Sequence, residues 1–237
     1  MSVIVPTLNE AENIRATIAA AGWGYTAEDL EIVVVDAEST DGTADAARGQ
    51  FEALLVLQSS PGRGLQMNRG VAASHGDILV FCHADTLLPR GWLEAVRAAT
   101  ACPGTSGGSF RPMFVPADRP MLRLLNRLPH PKNWRLIWGD QVQFTTRDTF
   151  EAVGGFKEIP LMEDVEMARA LKRRGKMAKL RLRVETSSRK FEEVGATRHI
   201  FRSLWFVFSY LYLGADPSEL AERYRTPPRI QNLDERP

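Results

Sequence analysis

Two carboxylates in this chain stand at the ends of apolar runs, where they have little packing purpose. Asp36 closes Glu31 to Asp36 (EIVVVD), and Asp85 follows Ile78 to Cys82 through His83-Ala84. A carboxylate at such a junction can bind a divalent cation through oxygen, and the cation can hold a diphosphate. Asp85, with His83 beside it, has that form, and it can equally start a turn before Leu-Leu-Pro. Asp36 can meet the polar edge of a base or a ribose hydroxyl, while Ser39, Thr40 and Asp41 can cap a helix starting near Thr43. Gly62-Arg63-Gly64, with Gln66 and Asn68 behind it, opens another helix. Its glycines permit close backbone approach and Arg63 can meet a phosphate, although a plain loop carries the same signature. Glu163-Asp164 begins a third helix, either complementing its dipole or supplying a general base. His199, near a helix start, is a metal ligand or a surface or capping histidine.

The elements that must position these groups alternate between strand and helix. Ser2 to Pro6 is a β-branched run. Asn9, with Glu12 three residues on, predicts an N-cap for a helix ending near Ala21 and Gly22. Strands are expected at Glu31–Asp36, Leu54–Leu57 and Ile78–Cys82, with helices to about Arg48 and about Ser74. This βαβαβαβ order predicts an α/β fold, an open and mostly parallel sheet with helices on both faces. Ligands of such sheets sit outside the carboxyl ends of the strands, where Asp36 and Asp85 fall. Residues 107–115 and 141–147 read as further strands and Glu163 to Arg174 as a helix ended by Gly175. Two stretches are basic: Arg111 to Arg135, and Arg169 to Lys190, whose ten Lys and Arg face only Glu185. The second suits a solvated face, a diphosphate or an anionic membrane surface. The last forty or so residues read as helices with a loose Pro-rich tail from Thr226.

A chain of 237 residues can bury a sizeable core. Thirty basic and 29 acidic residues leave a net charge of +1, which argues against a strongly basic nucleic-acid binder. Cys82 and Cys102 lack metal-like spacing and are expected as reduced thiols of a cytoplasmic protein. No secretory signal is visible, and no apolar window reaches the length of a transmembrane helix. Leu204 to Leu213 (LWFVFSYLYL) is too short to span; it is expected in the core, in a homodimer interface or at the inner face of the cytoplasmic membrane.

Taken together, SVIVPTLNE at 2–10, EIVVVDAESTDGT at 31–43, GRGLQMNRG at 62–70, GDILVFCHADT at 76–86, GGF at 154–156 and ED at 163–164 resemble the family-two glycosyltransferases of GT-A fold. The likeness covers about residues 1–190. It is closest to a short bacterial subgroup with a His-Ala-Asp-Thr motif, of the radical-SAM/selenodomain-associated type, which SSRKFEEVG, the aromatic helix and ERYR also resemble. The resemblance implies a catalytic domain over 1–195 with a helical extension over 196–237. It implies an inverting transfer of a sugar from a nucleoside-diphosphate sugar to an acceptor hydroxyl, on an acceptor that is unknown and includes lipid-linked candidates, with Mn²⁺ or Mg²⁺ as cofactor. By the same resemblance Pro6 and Glu10 line the nucleotide pocket, Asp36 contacts the base, Asp85 binds the metal, Asp164 is the base with Glu163 beside it, and Arg189 faces phosphate. Two positions depart from the family. His83 replaces the first Asp of Asp-x-Asp, and imidazole suits Mn²⁺ better than Mg²⁺. The Gln-x-x-Arg-Trp element is absent as such. The alternatives are a nucleotide-sugar binding module without turnover, and a sugar nucleotidyltransferase, whose long Gly-rich first loop with Arg and Lys is not matched by Pro-Thr-Leu-Asn-Glu.

Overall fold

The computed structural model describes residues 1–129, 133–137, 139–189, 191 and 195–225. The expected tail from Thr226, together with Lys132, Lys190 and residues 192–194, lies outside them. Four strands, β1 (Ser2–Thr7), β2 (Glu31–Asp36), β3 (Leu54–Gln58) and β4 (Ile78–Phe81), are parallel and ordered β3-β2-β1-β4. They alternate with α1 (Ile14–Gly22), α2 (Thr43–Ala47) and α3 (Arg63–Ala72). The apolar runs are continuous because both sheet faces are covered. Val3, Val5, Ile32, Val34 and Val80 pack with Ile14 and Ile18 of α1, while Ile4, Val33, Val35, Leu79 and Phe81 pack with Met67 and Val71 of α3. Gly70 lets α3 sit directly on β1, since a Cβ there would lie 2.4 Å from Ile4 Cγ2.

The sheet continues through β5 (Thr86–Leu87), β6 (Thr105–Val115), β7 (Gln143–Thr146) and β8 (Lys176–Ser187) in the order β4-β7-β6-β8-β5. β7 runs antiparallel to β4 and β6, β6 and β8 are parallel, and β5 is antiparallel to β8. The helices α4 (Trp92–Ala101), α5 (Pro120–Arg127), α6 (Arg147–Ala152), α7 (Glu163–Arg174), α8 (Ala196–Leu213) and α9 (Pro217–Arg225) complete the described fold. Phe206 and Val207 of α8 and Leu220 and Ala221 of α9 bury against Leu161, Met162 and Val165. Cys82 is buried and Cys102 exposed, both unbridged.

One expectation changes. Asn9 does not cap α1, which begins at Ile14 after Asn13 without a side-chain cap. Asn9 instead sits at φ +54° and clasps the next loop, accepting from Thr40 N at 2.9 Å and donating its own N–H to Ser39 Oγ at 2.8 Å. The basic run from Arg169 is largely the solvent side of α7 and β8: Arg181, Arg183 and Glu185 point outward while Leu180, Leu182 and Val184 pack inward. The helices α4 and α5 and the strand β8 have no counterpart in the expected elements.

Glu31 ties three segments together. Its carboxylate accepts from Ser2 Oγ (2.8 Å) and from the backbone of His75 and Gly76 at the approach to β4. Burial pushes its pKa up, but these donors outweigh burial and leave it below the ordinary carboxylate value of 4.5. A depressed folded pKa means stability that is present above pH 4.5 and lost as pH falls through the folded value. Glu31→Gln is therefore expected to cost about 1–3 kcal/mol at neutral pH, with a gap to wild type that narrows below pH 4.5. A constant gap across thermal melts from about pH 3 to about pH 7 contradicts the ionic role.

Candidate active site

Beyond the carboxyl ends of β3 and β4 the chain turns toward a cavity of about 450 Å³. Its polar end is lined by Arg63, His83, Asp85, Glu163 and Asp164, delivered by one turn and two helix starts. Asp85 sits on a turn closed by Thr86 N donating to His83 O (3.1 Å), and the turn is anchored where β5 pairs with β8 and Ser187 N donates to Asp85 O (3.2 Å). The turn and ligand readings of this segment are thus compatible. Arg63 opens α3, and Glu163-Asp164 opens α7 after Met162, which holds a left-handed φ of +73°.

Charge is tightly arranged here. Arg63 Nε lies 3.1 Å from Oε1 of the buried Glu163. Glu163 pushes the Arg63 pKa up, burial opposes it, and Asp164, Tyr224 and Asp85 add to the rise, so the guanidinium is a fixed cation. Asp164 is oriented by backbone: Oδ2 accepts from Gly139 N at 2.6 Å and Oδ1 from Val165 N at 2.7 Å. Gln143 Nε2 donates to its carbonyl at 3.0 Å. Position 139 must be glycine, because a Cβ would stand 2.4 Å from Cε1 and Nε2 of the His83 ring. The tight turn Gly139–Gln141 then exits through Val142 at φ +48°, a conformation that costs a β-branched residue about 1–3 kcal/mol.

Six of the residues singled out from the sequence line this cavity: Arg63, His83, Asp85, Glu163, Asp164 and His199. The other six do not. Pro6 lies within β1, its missing N–H tolerated because the ladder toward β4 ends at Cys82 N donating to Ile4 O. Asp36 is buried, accepting from Thr7 Oγ1 (3.0 Å) and Ser39 N (3.0 Å). Glu10 pairs with Arg189 at 2.7 Å and accepts from Asn13. Gln66 and Asn68, expected as ligand contacts, make internal hydrogen bonds in this structure. The buried Gln66 amide donates to Thr7 O and Val35 O; Asn68 exchanges hydrogen bonds with the Phe156 backbone and so holds the Gly154-Gly155-Phe156 turn on α3. Gly64 makes its close approach to the Lys157 carbonyl.

For a metal, no three His, Cys, Asp or Glu side chains among the described residues are grouped to hold an ion by themselves. His199 packs between the rings of Phe191 (4.8 Å) and Tyr224 (6.4 Å). Asp85 and His83, on one turn of the cavity wall, can supply only part of a cation's ligand set, the rest having to come from the oxygens of a diphosphate. Sequence reasoning missed Gln141 and Arg111. Gln141 lines the cavity and donates to Leu136 O, and its buried Oε1 has no hydrogen-bond partner among the described residues. Arg111, visible only as part of a basic stretch, fastens the end of α5 through Asn126 O (2.9 Å) and Leu128 O. Nothing in the local sequence marks Gln141.

Among solved structures, a mannosyltransferase from Pyrobaculum calidifontis in complex with GDP-Man and Mn²⁺ is similar at TM-score 0.63 and 20% identity, covering 93% of this chain and 71% of that one. A glucosyl-3-phosphoglycerate synthase from Mycobacterium tuberculosis, in complex with Mn²⁺, UDP and glucosyl-3-phosphoglycerate, is similar at TM-score 0.58 and 20% identity, covering 87% and 78%. The fold is therefore that of the GT-A nucleotide-sugar transferases. By sequence, glycosyltransferase AglE of Haloferax volcanii is 36% identical over 112 residues, 44% of this chain and 36% of that protein. The glucosyl-3-phosphoglycerate synthase of M. tuberculosis is 34% identical over 97 residues, 38% of this chain and 30% of that protein. The matches span well under half the length of these curated relatives. Residues 2–145, more than half of the chain, match glycosyl transferase family 2, and the chain belongs to that family.

Proposed function

We propose that the protein is an inverting glycosyltransferase that moves a sugar from a nucleoside-diphosphate sugar to an acceptor hydroxyl, with Asp164 as general base. The observation that carries this reading is the convergence of Asp164, Asp85, Arg63 and His83 on one cavity at the mouth of the sheet. Asp164 takes the proton of the acceptor hydroxyl as that oxygen attacks the anomeric carbon; the bond to the diphosphate oxygen breaks and its electron pair leaves with the diphosphate. The bonds from Gly139 and Val165 fix the direction of the carboxylate, and each oxygen keeps a further lone pair for the proton. Arg63, locked by Glu163, places positive charge on the wall where the leaving group departs. Asp85, with His83 beside it, would hold the divalent cation, whose chemistry when bound is to neutralise the diphosphate. One base serves a single displacement, unlike the two-carboxylate arrangement of a retaining hydrolase. The finer likeness to the His-Ala-Asp-Thr subgroup is part of this proposal and rests on residues 83–86.

The test is slow transfer to water. UDP- and GDP-sugars are incubated with the protein and Mn²⁺, and the anomer first released is read by proton NMR. The reading expects release of the nucleoside diphosphate and a sugar of inverted configuration. A retained configuration contradicts the single displacement. Binding of a donor without release, under broad acceptor screening, favours a binding module instead.

A further inference from the structure

The wall of the cavity changes character with distance from Asp164. Beyond the charged end it is built from Leu125, Leu128, Ile200, Leu204, Phe206 and Val207, which offer a ligand no side-chain hydrogen bond. Two of these, Leu128 and Leu204, are themselves exposed, and Leu204 belongs also to the exposed apolar face of α8. That face carries Phe201, Leu204, Trp205, Phe208 and Tyr212, spaced three and four residues apart on one helix face, with Phe201 74% exposed and Tyr212 59%. The rings of Trp205, Phe208 and Tyr212 lie side by side, with centroids 5.9 and 5.3 Å apart. Leu124 adds a further exposed apolar side chain on α5, which contacts α8. Neither α5 nor α8 contains an acidic residue, while Arg123, Arg127 and Arg198 are exposed on them. An apolar, aromatic face rimmed by cations matches the boundary of an anionic bilayer, where aromatic rings settle at the headgroup level. No helix among the described residues is long and apolar enough to cross a membrane.

We propose that the acceptor is a membrane lipid bearing a hydroxyl: α8 and α5 lie on the membrane surface, the hydrocarbon chain follows the Leu128–Leu204 wall, and the hydroxyl reaches Asp164. This rests on the glycosyltransferase reading and names the class of its acceptor. The buried Gln141 Oε1 is a ready acceptor for a headgroup hydroxyl at the polar end.

The experiment uses the whole chain with three probes. Vesicles of phosphatidylglycerol and phosphatidylcholine report surface docking by co-sedimentation at low salt. Hexyl, octyl and decyl glucoside, kept below their micelle-forming concentrations, report the cavity by calorimetry. UDP- and GDP-sugars with Mn²⁺ report the donor site. The proposal expects wild type to sediment with the anionic vesicles, and the exposed-face variant Trp205→Glu/Phe208→Glu to lose about tenfold or more of that binding while its donor affinity is unchanged. Affinity for the glucosides should rise with chain length, by up to about fourfold per buried methylene. No vesicle binding, equal binding by the variant, or indifference to chain length overturns it. So does a concentration-dependent dimer that the same variant disperses, since a second copy of the chain then covers the stripe. If lipid probes fail while a donor binds, the acceptor assignment falls and the transferase reading stands; if no donor binds, the transferase reading falls first.

Discussion

Asp164→Asn is expected to leave nucleoside-diphosphate-sugar binding within about twofold of wild type and to lower turnover by about 10²–10⁴-fold, the range that a positioned general base supplies. The amide is nearly the same size and still offers one oxygen to Gly139 N or Val165 N, so the turn at 139–141 keeps most of its support. It offers no basic oxygen to an incoming hydroxyl. One of the two backbone donors then faces the new NH₂ group, which costs about 1 kcal/mol of stability. A melt separates this structural cost from the catalytic loss, by showing whether the variant is folded at the assay temperature. Turnover equal to wild type in a folded Asp164→Asn protein removes Asp164 as the base.

The second large effect is expected at Asp85. Asp85→Ala should weaken metal-dependent donor binding by about 100-fold or more, beyond the 10- to 100-fold typical of groups that merely support a ligand. The fold tolerates the change, because the turn at 83–86 is held by backbone. Thr86 N bonds His83 O, Ser187 N bonds Asp85 O, and among the described residues the side chain receives a long 3.4 Å contact from Thr86 Oγ1. That hydroxyl has a second partner in Thr186 Oγ1 at 3.1 Å. Calorimetric titration of the donor with and without EDTA reads the effect. If the variant keeps the same difference between Mn²⁺ and EDTA as wild type, Asp85 holds no metal.

Why the first half of the fold was legible follows from what it buries. EIVVVD and ILVF pack on both faces, so their apolar runs are uninterrupted, and Asp36 and Asp85 stand out as the residues that end or follow them. In β8 the same signal is halved. Leu180, Leu182 and Val184 face the core, while Arg181, Arg183 and Glu185 face water, so composition reads as a charge run when only the alternation reveals a strand. Asn9 misled because a capping residue and a loop clasp have the same chemistry, and the deciding partner, Thr40, is thirty-one residues away. Gln66 and Asn68 share that limit. Amides near a Gly-rich loop suit a ligand and suit a backbone carbonyl equally, and only the folded chain shows the carbonyls of Val35 and Phe156 within reach. Gln141 and Gly139 were invisible because their roles depend on Asp164 and His83, which only the folded chain brings beside them.

The aromatic segment near the C terminus divides in a way periodicity alone did not resolve. Phe206 and Val207 close the cavity beside Leu161 and Met162, while Trp205 and Phe208, one residue to either side, face outward. The helix thus divides between buried and exposed residues, Phe206 and Val207 realising the core reading. The site carbonyls and amides add rigidity where the chemistry needs it: a left-handed Met162 and Val142 flank the two turns that present Asp164 and Gln141.

The most direct test of the central claim is calorimetric binding of UDP- and GDP-sugars, and of the free diphosphates, with Mn²⁺, with Mg²⁺ and with EDTA. The account predicts that one donor binds in the presence of Mn²⁺, more weakly with Mg²⁺ because His83 stands where the family has a carboxylate, and that EDTA removes the binding. A folded protein that binds no member, or binds equally well in EDTA, contradicts it.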